Sequence, residues 1–126
     1  METETAEIEI AASPADTWAL VGDFGGIAWM PGIESVTVDG DVRTISMSGM
    51  EIKEQLVSRD DAAMSIAYSI VDGPVPVESH QATQTVHAAG DGSRVTWEVS
   101  VAPEGAAFFR DIYQGALGAL KARLED

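Results

Sequence analysis

From Ile33 to Val101 the chain is a succession of short β-prone runs divided by residues that favour tight turns, and this punctuation restricts the fold most. Ile33–Val38 and Val42–Met47 flank Asp39-Gly40, a dipeptide suited to a two-residue hairpin turn. Glu51–Arg59 follows Ser48-Gly49, and Ala63–Val71 follows Asp60-Asp61. Glu78–Ala89 comes after Asp72-Gly73-Pro74-Val75-Pro76, and Arg94–Val101 after Gly90-Asp91-Gly92-Ser93. The pattern predicts antiparallel strands in a meander. Thr3–Ala11, with Ile8 and Ile10 on one face, reads as one more strand ahead of it.

Helical signals bracket the strands. Ser13 is suited to an N-cap, Pro14 to the first helical position and Asp16 to the first turn. Gly22 and Asp23-Phe24-Gly25-Gly26 cut that helix short, and a second short helix is expected over Ile27–Met30, before Pro31-Gly32. Beyond Pro103, the stretch Ala106–Leu124 carries an apolar stripe of Phe109, Ile112 or Tyr113, Ala116, Leu120 and Leu124. The expectation is one two-layer α+β domain over residues 1–126: a seven-stranded curved antiparallel sheet around a long C-terminal helix, with two short helices after the first strand. One helix cannot fill such a concavity, so an internal cavity is expected. Gly115, Ala116, Gly118 and Ala119 would give it room, at a cost of about 1 kcal/mol for each helical glycine.

Charge narrows the partners. A net charge of −14 with only seven basic residues leaves no footprint for nucleic acid or for an anionic membrane surface. There is no cysteine, which removes thiol nucleophiles, disulfides and thiolate metal sites. His80 and His87 stand an odd number of residues apart on one strand and face opposite ways, so no metal is expected. No P-loop, dinucleotide fingerprint or GxSxG is present, and no cofactor is expected. Without a signal-like N-terminus or a membrane-length apolar run, a cytoplasmic monomer or small homo-oligomer is the expectation.

Hairpin register extends the reading to a site. A two-residue turn at Ser48-Gly49 pairs Met47 with Met50, Ile45 with Ile52 and Arg43 with Glu54, and the apolar pairs mark that face as inward. A three-residue turn at Asp60–Ala62 would set Tyr68 opposite Glu54, and a loop centred near Pro74 would set His80 opposite Tyr68. Ala82, Gln84 and Val86 then share the inward side, and a turn at Asp91-Gly92 pairs Val86 with Trp97. Arg43, Glu54, Tyr68 and His80 would thus cross neighbouring strands in a line. Such a line can be a satisfied polar network, a set of ligand hydrogen bonds, or a catalytic group. In the catalytic case Glu54 or His80 would act as base next to a carbonyl, with Tyr68 or Arg43 stabilising the enolate. Met47, Ile52, Leu56, Ile66, Tyr68, Trp97, Phe109 and Tyr113 are the expected pocket walls, with Trp29 and Met30 at its mouth. Trp18 reads as core.

The ordered set Ala12-Ser13-Pro14-Ala15-Asp16-Thr17-Trp18, Asp23-Phe24-Gly25-Gly26, Trp29-Met30-Pro31-Gly32, Val42-Arg43-Thr44-Ile45, Glu54-Gln55-Leu56, Asp60, Tyr68-Ser69-Ile70, Pro74-Val75-Pro76-Val77 and Val95-Thr96-Trp97 covers almost the whole chain. In this set the sequence resembles the polyketide cyclase/dehydrase-like branch of the START-like (SRPBCC) superfamily, which also holds plant pollen allergens and lipid-transfer domains. The resemblance implies a helix-grip fold with a hydrophobic pocket between sheet and long helix. It implies a carrier or sensor of a polyketide-, lipid- or sterol-like molecule, or alternatively a cyclase/dehydratase-type enzyme. The fold does not choose between them.

Overall fold

The computed structural model describes residues 1–126. In chain order it contains β1 (Glu2–Ile10), α1 (Pro14–Val21), β2 (Ile33–Asp39), β3 (Val42–Met47), β4 (Met50–Asp60), β5 (Ser65–Asp72), β6 (Ser79–Ala89), β7 (Gly92–Ala102) and α2 (Ala106–Glu125). The seven strands form one antiparallel sheet in the order β1-β7-β6-β5-β4-β3-β2. Strands β2 to β7 are the expected meander, and β1 joins along the free edge of β7, from Glu2↔Val101 to Ile10↔Ser93.

Helix α1 begins as its sequence dictates. Ser13 Oγ accepts the Asp16 amide at 3.1 Å and Pro14 opens the first turn. The second short helix does not form. Only four residues lie between Gly25-Gly26 and Pro31-Gly32, enough for a single turn closed by Met30 N–H to Ile27 O at 3.0 Å. Pro31 also disfavours a helical conformation at Met30.

The hairpin at Ser48-Gly49 forms as expected, with both corner residues at positive φ (51° and 77°) and Met47↔Met50, Ile45↔Ile52 and Arg43↔Glu54 in register. Other registers differ. The β4–β5 connection is longer than three residues: Asp60 pairs with Ser65, and Met64 turns the corner at φ 51° instead of starting the strand. Bulges then fall between Leu56 and Ser58 on one side and between Lys53 and Glu54 on the other. Tyr68 therefore faces Leu56, and Glu54 faces Ile70. In the β6–β7 hairpin Ala89 pairs with Gly92, so the corner is Gly90-Asp91. Val86 meets Val95, and Trp97 meets Gln84.

Helix α2 packs on β1 and β7 through Ala106, Phe109, Tyr113, Ala116, Leu117 and Leu120. Tyr113, not Ile112, takes the stripe position; Ile112 and Phe108 face outward. The helix also covers the free edge of β1: Gln114 bonds both backbone groups of Glu7, and Lys121 reaches Glu9 O. An otherwise unpaired strand edge is thereby satisfied. Gly115 and Gly118 sit on the outer face, where an added Cβ would meet nothing within 4 Å, so they give no room inside the grip. No helix is long and apolar enough to cross a membrane.

Candidate functional site

The concave face of the sheet has two covers. Helix α2 lies over β7 and β1, while the segment between α1 and β2 lies over β2 and β3. In that segment Phe24 and Ile27 are buried, and Trp29 and Met30 are half-buried against the core. Neighbouring approaches place it: a Cβ on Gly25 would stand 3.0 Å from Val38, and one on Gly32 would stand 3.7 Å from Met47.

Arg43 and Glu54 meet under this cover. Arg43 Nε and Nη2 both reach Glu54 Oε1, at 2.9 and 2.8 Å, and Nη1 donates to Phe24 O at 2.9 Å. The guanidinium is held between two rings, with Cζ 4.4 Å from the Phe24 centroid and 4.7 Å from that of Tyr68. Arg43 is 4% exposed and Glu54 7%. Burial raises the Glu54 carboxyl above the usual carboxylate range, and Arg43 draws part of that shift back.

A second group adjoins the first under α2. Trp97 and Tyr113 stack in parallel with centroids 4.0 Å apart. Trp97 Nε1 donates to Tyr68 Oη at 3.2 Å. His80 packs between Tyr68 and Phe109, with centroids at 5.8 and 5.0 Å. Its expected place opposite Tyr68 is held by Ala82, because the β5–β6 register is two residues away from that reading. Beyond Tyr68↔Ala82 the two strands stop pairing, and the Ile70 amide donates to His80 Nδ1 at 3.2 Å in place of a backbone carbonyl. Since Nδ1 accepts, the ring proton sits on Nε2, which donates to Tyr113 Oη at 2.9 Å. Burial lowers the His80 pKa to about 4, so the ring is neutral near pH 7. Burial likewise pushes both tyrosine hydroxyls far above their ordinary value, and both stay protonated.

The structure thus brings Arg43, Glu54, Tyr68, His80, Trp97, Phe109 and Tyr113 together, with Ile66 in the same core and Leu56 packed on it. Gln84 is buried opposite Trp97, and Met47 and Ile52 stand half-buried toward the β3–β4 turn. Trp29 is half-buried with an indole Nε1 that has no hydrogen-bond partner. Trp18 instead bonds Asp61 at 3.0 Å, near the β4–β5 turn. The part of Phe24 as ring and carbonyl partner of Arg43 has no signal in strand alternation. Only its place in Asp23-Phe24-Gly25-Gly26 marks it.

The expected open pocket between sheet and α2 is instead packed with these rings. Two clefts lie elsewhere. One of about 570 Å³ runs between the end of β1, the β6–β7 turn and the end of α2, where Lys121 and Glu125 pair with each other. Another of about 210 Å³ lies at the β5–β6 split and includes Ile70, Val75 and Val77.

Comparison with known proteins accords with this geometry. The family model described as "Polyketide cyclase / dehydrase and lipid transport" matches residues 1–125. A search of proteins of curated function returns no match. Among solved structures, the protein XoxI from Bacillus cereus is 29% identical with a TM-score of 0.92, covering 100% of this chain and 97% of that one. An uncharacterised protein of Bacillus thuringiensis is 28% identical with a TM-score of 0.90, covering 99% and 100%. A START superfamily protein from Mycobacterium smegmatis shares the fold at 15% identity and a TM-score of 0.80, covering 98% and 97%. With its sheet, its gripping helix and a family match over nearly every residue, this chain belongs to the polyketide cyclase/dehydrase and lipid transport family, within the START-like fold.

Proposed function

We propose that the protein binds an apolar or aromatic small molecule, polyketide-, lipid- or sterol-like, between the sheet and its covers, as a cytoplasmic carrier or sensor. The observation that carries this reading is the divided cover of the concave face. Helix α2 is anchored along β1, whereas the segment before β2 is tied to the sheet through one side-chain bond, Arg43 to Phe24 O. Movement of that segment would bare Ile45, Met47, Ile52 and Leu56 beside a ring of aromatic side chains. Family membership supports the same reading. The state of His80 favours binding over catalysis, because Nδ1 already accepts the Ile70 amide and has no lone pair left for a substrate proton.

A cyclase/dehydratase reading draws on Glu54. Arg43 meets Glu54 only at Oε1, through the Nε hydrogen bond and the Nη2 ion pair, which leaves Oε2 for a substrate proton. Native mass spectrometry of protein purified from its own host tests the binding reading. An adduct of defined apolar mass, lost on extraction with organic solvent, is the expected result. A bare protein that also fails to enhance the fluorescence of an anilinonaphthalene probe would refute it.

A further inference from the structure

Helix α2 carries a cost on its outer face that the single chain does not offset. Gly115 and Gly118 lie in the middle of the helix, where glycine is less favourable than alanine. An added Cβ at either would meet nothing within 4 Å, so neither serves to let another part of the chain approach. On the same face, one and two turns before Gly115, Ile112 is 45% and Phe108 63% exposed. The Phe108 ring stands edge-on to Phe109 at 5.7 Å, which holds it in place at the surface. Phe108, Ile112, Gly115, Ala119 and Ala122 run in one line along the helix, at alternating steps of four and three. The line is bulky in its first half and flat in its second.

This order of sizes fits a second copy of itself. In an antiparallel pair with a twofold axis at Gly115, Phe108 of one copy faces Ala122 of the other, each seven positions from the axis. Ile112 likewise faces Gly118, three positions from it. Each bulky side chain meets a small one, twice over, and the glycine at the axis lets the two backbones close up. A parallel pair would set ring on ring and leave the flat half open. Charge points to the same partner. Helix α2 holds three of the chain's seven basic residues, Arg110, Lys121 and Arg123, and two of its 21 acidic ones, Asp111 and Glu125, so it carries no share of the net −14. The single acid between Ala107 and Ala122, Asp111, is paired with Arg110 at 3.2 Å. A second copy of so acidic a chain is repelled least here.

We infer that the protein forms a symmetric dimer through the outer face of α2, with Phe108 and Ile112 of each copy seated on the Gly115–Ala122 half of the other. The strip from Ala107 to Ala122 is about 24 Å long and about 10 Å wide, well under the roughly 800 Å² of a standard partner surface. The dimer is therefore weak and assembles with concentration. In it α2 is held on both faces, which leaves the segment before β2 as the movable cover.

Sedimentation equilibrium of the full chain from about 10 µM to about 1 mM tests this. The average mass should rise toward twice the monomer value, more steeply in about 0.5 M salt, which screens the remaining repulsion. Gly115→Gln should weaken association at least roughly tenfold. Its melting temperature at low concentration should hold or rise, since the monomer has room for the side chain and gains a better helix former. Phe108→Ser should weaken association as strongly. A mass that stays monomeric over the whole range would overturn the inference, and so would association that both variants retain. Transfer of a monomeric chain onto phosphatidylcholine vesicles, lost in Phe108→Ser, would give the face to a lipid surface and overturn it as well.

Discussion

Replacing Glu54 with leucine should destabilise the protein far more than the loss of one ion pair at a surface would. Arg43 is 4% exposed, and one of its two hydrogen bonds goes to Glu54 Oε1, which its Nη2 also meets as an ion pair. Without Glu54 the guanidinium keeps only Phe24 O and the faces of Phe24 and Tyr68. Breaking a buried pair by removing one partner costs about 3–5 kcal/mol. For a chain of this size that lowers the melting temperature by roughly 10–20 °C. Arg43→Met should cost a similar amount through the stranded carboxylate, less whatever protonation of Glu54 relieves. The double substitution Arg43→Met/Glu54→Leu removes both charges and should recover much of the loss, since apolar replacements of buried pairs are often neutral. Thermal unfolding of all four proteins, followed by far-ultraviolet circular dichroism, gives the coupling energy directly. Small single effects that simply add would show that the pair is solvated and that the buried geometry is wrong.

Acid should weaken the fold through His80. Its folded pKa of about 4 lies below the unfolded value of 6.5, so the unfolded chain binds more protons in between. Stability from this residue is present above pH 6.5 and falls as pH drops toward 4, by at most about 3 kcal/mol. Glu54, with its pKa raised, has the opposite sign, so the measurement is the difference between wild type and His80→Asn across pH 4–7 in urea. A constant difference would contradict the neutral, buried state of His80. Ending the chain at Ala102 should abolish folding, because Phe109, Tyr113, Leu117 and Leu120 each bury a side chain worth about 1.5–3 kcal/mol. Cooperative thermal unfolding of that truncated chain would refute the role given to α2.

Much of the fold was legible because turns and alternation are local. Ser48-Gly49 carries its own backbone preference, so Met47, Ile45 and Arg43 fall opposite the right partners, and the Arg43–Glu54 pair follows. Errors accumulate where register depends on residues that leave no local mark. The β4–β5 connection runs four residues instead of three, and Val57, which bulges out of β4, reads like any other strand valine, so Tyr68 falls opposite Leu56 and not Glu54. It still faces inward. On either side of the Pro74 loop the last four residues of β5 and the first three of β6 do not pair, a gap that His80 bridges with its ring and that alternation cannot show. The glycines of α2 illustrate a different limit: small residues suggest space, but which side of the helix holds that space depends on the tertiary contact, and here it is solvent. In the segment before β2 the sequence marks Trp29 and Met30 at the mouth of the site, but not the part of Phe24, which acts on Arg43 across nineteen positions of sequence.

The central claim, that an apolar ligand enters between the sheet and its covers, is tested most directly by the three tryptophan indole N–H resonances. Trp97 Nε1 donates to Tyr68 Oη, Trp29 Nε1 is buried without a partner, and Trp18 Nε1 is bonded to Asp61 near the β4–β5 turn. Titration of ¹⁵N-labelled protein with 2-acetylnaphthalene should shift the Trp97 and Trp29 signals together and leave Trp18 in place. A titration that moves Trp18 alone, or that moves none of the three while the probe binds, would place the ligand outside the grip and contradict the account.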